Sequence, residues 1–476
     1  MLEDGLRGLL ARRRQSYEQL RGDADHGDID DGVQYSDSGS VRPLEDCPAS
    51  PFSWLEYSIF FWMGVNMLWA WNMFLAAAPY FQLRFASNRW AVTNFQSCIL
   101  SVSSVTNLLS VLFLAKLQKN ASYPRRVTSS VSLNIVIFTI LALSAITFRD
   151  VSVPVYFAFI LFMVFGASLA TGFNQNGMFA YAAGCGHAEY TQAIMAGQGV
   201  AGVLPCIVQI VSVIAVPEKS ESVKGQSTQY KSSKSAFAFF ITATLVSIIA
   251  LFAFLYLLRQ HRRSPLLKDP ISVAPDNDDN EDPSLPYPSP AGHPKRPVPL
   301  WTLFLKLHWM ALAVYLCFGV TMAYPVFTNR IKSIRDIPTE QPPPRLFQST
   351  IFIPLALLFW NTGDLVGRLV LLIPRINLSH RPFALFLLSL ARLIFIPLYM
   401  LCNVNGRGAW IKSDLFYLVI VQFLFGASNG FIGGACMIGA GDWVDVEERE
   451  AAGGFMGFML VAGLTSGSFL SFAAAG

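Results

Sequence analysis

Runs of twenty or more apolar residues alternate along the chain with short polar connections. At 1.5 Å per residue, about 20 apolar residues in a helix cross the roughly 30 Å of bilayer hydrocarbon. Eleven such spans are predicted, at 58–81, 92–117, 128–147, 153–180, 188–215, 236–258, 302–327, 349–373, 382–402, 413–440 and 451–475. A membrane β-barrel would instead alternate apolar and polar positions in segments of about ten residues. The pattern therefore predicts an all-α polytopic membrane protein with a 6+5 arrangement of eleven transmembrane helices. Its expected divisions are a disordered cytosolic tail over 1–55, a six-helix bundle over 56–258, a disordered cytosolic linker over 259–300 and a five-helix bundle over 301–476. The linker is rich in Pro and Asp, including Asp276, Asp278, Asp279, Pro283, Pro286 and Pro288, a composition that buries too little apolar surface to fold.

Composition sharpens this picture. Apolar residues make up 53% of the chain and charged residues 14%, against about 25% charged in soluble proteins. A formal charge of +4 spread over connecting loops gives no footprint for nucleic acid. The seven cysteines lie mostly in apolar runs without a C-x-x-C pair, so no disulfide framework, metal site or cofactor is expected. Walker A, nucleophile-elbow, H-E-x-x-H and dinucleotide-turn motifs are missing, so ATP-driven pumping and enzymatic chemistry are not expected. The tail contributes Arg7, Arg12, Arg13, Arg14, Arg21 and Arg42, favouring a cytosolic amino terminus and a lumenal or extracellular carboxy terminus.

The candidate chemistry lies in the polar residues that interrupt the spans. In the eighth span, Asp364 and Arg368 stand four apart, and Asn361 precedes Asp364 by three, so one helical face carries an amide, an acceptor and a donor fork. An ionisable group in a span costs on the order of 2.5–3.5 kcal/mol on insertion scales and normally meets a partner or a wet cavity. Two readings stand open: an ion pair that only braces the bundle, or a water-accessible site for a neutral polar solute, with Asp364 as a candidate proton carrier. Arg392 in the ninth span is either a further partner or an arginine snorkelling to the interface. Trp71 in the first span offers an aromatic face, Asn174-Gln175-Asn176 in the fourth a cluster of amides, and Gln198 in the fifth an amide among glycines. Glycines four apart at 426, 430 and 434, 453 and 457, and 463 and 467 predict close helix packing. The acidic loop from Asp442 to Glu450 predicts a cap for the last helix.

Six motifs in order make the chain resemble the equilibrative nucleoside transporters over about residues 55–475. They are Trp71-Asn72-Met73-Phe74 with Tyr80-Phe81, the stretch Tyr190 to Gly202, Asn361 to Arg368, Arg392 with Phe395, Pro397 and Asn403, Ser428-Asn429-Gly430, and Glu450 to Gly453. The resemblance implies a two-bundle, major-facilitator-like architecture and alternating-access transport of purine and pyrimidine nucleosides. By similarity, Trp71 borders the nucleobase, Gln198 bonds it, Asp364 and Arg368 contact or flank the ribose hydroxyls, and Tyr324 lies where the family often has an aromatic residue before Pro. A departure is Ala70, where many members have Pro, which predicts a straighter first helix. The long tail resembles fungal and intracellular members, pointing to a vacuolar or other endomembrane as an alternative to the plasma membrane. Expected partners are nucleosides, the lipid bilayer and protons as a candidate co-ion. The competing readings are a nucleoside-binding receptor or scaffold without flux, and a transporter of another small polar solute.

Overall fold

The computed structural model describes residues 52–117, 121–148, 150–215, 225–263, 298–328, 330–336, 344–373 and 375–475. Within these helices some side chains, Tyr324 among them, lie outside the description. Most of the expected tail and linker also falls outside it, although helix continues through Arg263 and resumes at Leu300.

The described residues form eleven long helical segments. They are α1 Trp54–Ala76, α2 Arg89–Lys116, α3 Tyr123–Thr147, α4 Val153–Gly184, α5 Ala188–Ala215, α6 Gly225–Arg263, α7 Leu300–Thr328, α8 Ser349–Val370, α9 Pro382–Met400, α10 Phe416–Trp443 and α11 Arg449–Ala475. A short helix, Ala78–Arg84, continues α1 after a break at Ala77. Nine of the eleven are long and apolar enough to cross a membrane. The other two expected spans, α1 and α8, have the length, at 23 and 22 residues. They carry Glu56, Asn66 and Asn72, and Asn361, Asp364 and Arg368, respectively. With Ala70 in place of Pro, α1 runs unbroken through Trp71-Asn72.

Local chemistry sets several helix ends. Asn88 caps α2 by accepting from the Ala91 amide at 3.1 Å. Pro residues occupy the first turns of α3, α4 and α9, where a missing N–H costs nothing. Before α11, Asp445 and Glu448 form a capping box, as the acidic loop predicts. Lys306 of α7 donates to both, at 2.9 Å to Asp445 and 2.6 Å to Glu448. Its ammonium holds the exposed Asp445 carboxyl below the usual range, so this tie is complete at neutral pH and weakens as pH falls through that lowered value. Because the pair is largely solvated, Lys306→Ala is expected to cost about 1 kcal/mol or less, read as a small fall in Tm in detergent.

Two sets of helices pack internally and meet along two seams. In the first set α1 packs on α5 and α6, α3 on α4 and α6, and α2 on α4; in the second α7 packs on α9, α10 and α11, and α8 on α10. One seam joins α5 to α8 and α10, and the other joins α11 to α2 and α4. The apolar core differs at the two ends. Where α1, α5, α7 and α11 begin, one cluster runs through both sets, from Phe60, Met178 and Ile194 to Leu307, Cys436 and Phe455. At the opposite end it is divided into one cluster of the first set, around Phe74, Phe85, Tyr156 and Phe240, and one of the second, around Phe352, Tyr399 and Phe425. Among the described residues, apolar packing therefore fuses the two sets at one end and divides between them at the other.

Candidate functional site

Helix α8 carries the polar stripe, and glycines bring α10 against it. Gly363 and Gly367 of α8 face the carbonyls of Phe423 and Ala427, while Gly426 and Gly430 of α10 face those of Trp360 and Asp364. A Cβ on any of the four would sit 1.9–2.1 Å from the opposing oxygen, so only glycine permits this spacing. The glycine spacing at 426 and 430 thus has the close-packing role its sequence predicts. Gly199 and Gly202 of α5 lie over Leu365 and Asn361, bringing the first set of helices to the same face.

A continuous hydrogen-bond network occupies this junction. Arg368 Nε donates to Asp364 Oδ2 at 2.8 Å, with both side chains buried. Arg368 Nη1 crosses the seam to α5, donating to the Met195 carbonyl at 2.7 Å and to Gln198 Oε1 at 3.2 Å. Gln198 Nε2 in turn donates to the Met67 sulfur of α1 at 2.8 Å. On the other side, Asn429 Nδ2 of α10 donates to Asp364 Oδ1 at 2.7 Å. The fork geometry of a guanidinium lets one side chain bind a carboxylate and two further acceptors at once.

Arg392 is 2% exposed and does not snorkel to the interface. It sits in a 3₁₀ turn of α9, donating to Ser428 at 3.0 Å, to Thr321 at 3.0 Å and to the Cys317 carbonyl, with Phe425 4.4 Å beneath its guanidinium. Asn429 Oδ1 accepts from Thr321 at 2.7 Å and from the Cys317 thiol at 3.3 Å, so Arg392 reaches Asp364 only through intermediaries. The buried cluster holds two guanidiniums and one carboxylate, with carbonyls, hydroxyls and a ring satisfying the second cation.

The remaining residues singled out by sequence lie apart from this chain of bonds. Asn361 donates to the Leu357 carbonyl at 2.9 Å and to the Cys206 sulfur at 3.5 Å, one turn beyond Asp364 on the same seam. Trp71 lines a cleft of about 20 Å³, room for about one water, with Phe74, Asn134, Phe138, Ser168 and Thr171. Asn134 Oδ1 is buried there without a partner among the described residues. Tyr324 belongs to α7, but its side chain is outside the described residues. The amides of α4 diverge: Asn176 accepts from Arg126 at 2.6 Å, Gln175 from Asn107 at 3.4 Å, and Asn174 is buried with neither amide atom bonded among the described residues. Gln198, Asp364, Arg368 and Arg392 are thus brought into one network, while Trp71 faces a separate cleft of the first set.

The sequence-derived set omits Asn429, Thr321 and Cys317. Asn429 has a signal, an intramembrane amide beside the glycine that meets Asp364. Thr321 has none, because threonine is commonplace in apolar helices and its role depends on where Arg392 folds.

A family model described as Nucleoside transporter matches residues 161–475. The chain is 28% identical to Nucleoside transporter FUN26 of Saccharomyces cerevisiae over 509 residues, covering 97% of this chain and 92% of that one. It is 29% identical to Equilibrative nucleoside transporter 1 of Rattus norvegicus over 470 residues, covering 87% and 95%. Among solved structures, the fold is similar to the major facilitator transporter FucP in its outward conformation, with TM-score 0.52 and 14% identity over 88% of this chain and 96% of that one. It is also similar to the proton:xylose symporter XylE, with TM-score 0.55 and 10% identity over 87% and 86%. The two-bundle fold expected of the chain is therefore of the major-facilitator kind.

Proposed function

The chain belongs to the nucleoside transporter family, and from that premise we propose that it carries purine and pyrimidine nucleosides down their gradients by alternating access. It is a multi-pass integral membrane protein, with many buried polar groups and no ATP-binding motif in its sequence. The observation that carries the reading is the network Gln198–Arg368–Asp364, which spans the seam between the two sets of helices. A neutral nucleoside offers complementary groups. Its ribose hydroxyls both donate and accept, matching Asp364 and Arg368, and its base presents amide-like edges to Gln198. Arg368 Nη2 has no partner among the described residues and is the natural donor for an incoming hydroxyl. Trp71 offers a flat aromatic face in a separate cleft of the first set.

A secondary transporter rocks two bundles about a midplane site. The core fused at one end and divided at the other corresponds to one limb of that cycle. With a cytosolic amino terminus in a vacuolar or other internal membrane, the fused end faces the cytosol and the divided end faces the lumen.

The test is flux of labelled adenosine and uridine into proteoliposomes, with and without an imposed proton gradient. Saturable uptake of both is expected, reaching equal concentrations inside and out. The proton gradient is expected to change neither plateau; accumulation above equilibrium would make protons a coupled co-ion and overturn simple facilitation. Saturable binding without flux would instead establish the receptor reading.

A further inference from the structure

Both oxygens of Asp364 are held by the protein. Oδ2 receives the Arg368 Nε–H at 2.8 Å, and Oδ1 receives an N–H of Asn429 at 2.7 Å. A carboxylate held by one donor can still swing about its χ2 bond, whereas one held from two sides on two helices has its plane fixed. Asn429 is 3% exposed.

Its orientation is set from the far side. Arg392 only donates, and its Nη2 lies 3.0 Å from Thr321 Oγ1, which must therefore accept. The single hydroxyl hydrogen of Thr321 is left to point elsewhere. Two acceptors are in reach, Asn429 Oδ1 at 2.7 Å and the Cys317 carbonyl at 2.9 Å, and the shorter contact is the one to Asn429. The Cys317 thiol adds a second donor toward Asn429 Oδ1 at 3.3 Å. Donors on one side and a carboxylate on the other select the same amide orientation, oxygen toward Thr321 and NH₂ toward Asp364. The bonds form a directed relay, Arg392 to Thr321 to Asn429 to Asp364, across α9, α7, α10 and α8.

We propose that Asn429, oriented by Thr321 and Arg392, is a positioning residue that clamps the Asp364 carboxylate and thereby sets discrimination between ribonucleosides and 2′-deoxyribonucleosides. The inference rests on the reading that Asp364 receives a ribose hydroxyl. A site built to bond a hydroxyl rejects the analogue lacking it because its own polar group is stranded. That penalty falls on the lone pairs left over from the Arg368 and Asn429 bonds, and it requires that they keep a fixed direction in which no other donor meets them when the hydroxyl is missing. Clamped by Asn429, Asp364 cannot turn; released, it finds a substitute donor and the penalty shrinks.

The experiment compares initial rates for uridine and 2′-deoxyuridine in proteoliposomes containing wild type, N429A, T321V, T321S and D364N, at equal reconstituted protein. Wild type is expected to favour uridine in kcat/KM. N429A should lower that ratio about tenfold, mainly through uridine, the scale of one hydrogen bond to a charged group. T321V, nearly isosteric and without the hydroxyl, should lower it in the same direction, and T321S should restore it. A merely structural role would reduce both solutes alike and leave the ratio at its wild-type value in N429A and T321V, which overturns the clamp. If D364N abolishes the discrimination while N429A and T321V keep it, the ribose reading stands and the clamp falls. A ratio near unity in wild type, or one unchanged by D364N, removes the 2′-hydroxyl contact at Asp364 and the clamp with it.

Discussion

Replacing Arg368 by Ala is expected to reduce nucleoside uptake to background. Arg368 is the one side chain that bonds Asp364 within α8 and both the Met195 carbonyl and Gln198 across the seam. Its removal strands a buried carboxylate, a loss of about 3–5 kcal/mol when one member of a buried pair is deleted. Part of that loss falls on folding, so uptake alone does not separate a missing site from a missing protein. Adding Asp364→Asn to Arg368→Ala removes the uncompensated charge, and that double variant is expected to recover membrane expression without recovering uptake. Arg368→Lys is expected to fail as well, by more than tenfold, because one ammonium cannot reproduce a planar fork that serves three acceptors on two helices. Near-normal uptake in Arg368→Ala at wild-type expression would place the solute elsewhere.

Much of this arrangement is legible in the sequence because the bilayer makes polar residues conspicuous. Asp364 and Arg368 share a helix face by spacing alone, and their pairing follows from the cost of leaving either unpartnered. Glycines four apart predict a close helix contact, and Gly426 and Gly430 make one. What spacing cannot supply is the partner across a contact. The link from Arg368 to Gln198 joins residues 170 apart, and that from Arg392 to Thr321 joins residues 71 apart. Arg392 shows the limit plainly: the sequence leaves snorkelling and burial both open, and only the packing of Phe425 and Cys317 around it decides. Trp71 shows the converse, since its aromatic face is legible but its cleft, away from the Arg368 network, is not.

Gly430→Ala is expected to damage the protein more than any other single-methyl addition on α10 outside the glycine contact. The added Cβ would stand 1.9 Å from the Asp364 carbonyl oxygen and 2.8 Å from its carbon, and both opposing atoms are backbone. No rotamer can relieve such a clash, so α8 and α10 must separate, at a cost of about 1–3 kcal/mol or more. The separation stretches the 2.7 Å bond from Asn429 to Asp364, so uptake is expected to fall along with Tm. Gly457→Ala on α11 is the matched control. There the nearest atom is the Phe179 ring at 3.5 Å, an ordinary contact, and alanine gains up to about 1 kcal/mol of helix propensity over glycine. Thermal unfolding in detergent should therefore show Gly430→Ala several degrees below wild type and Gly457→Ala at or slightly above it. Equal Tm values for the two variants would mean that α8 and α10 can part without cost. Alternating access requires the opposite, because both helices belong to one set and the bonds from Asn429 and Arg368 to Asp364 stay assembled only if that set moves as a rigid body.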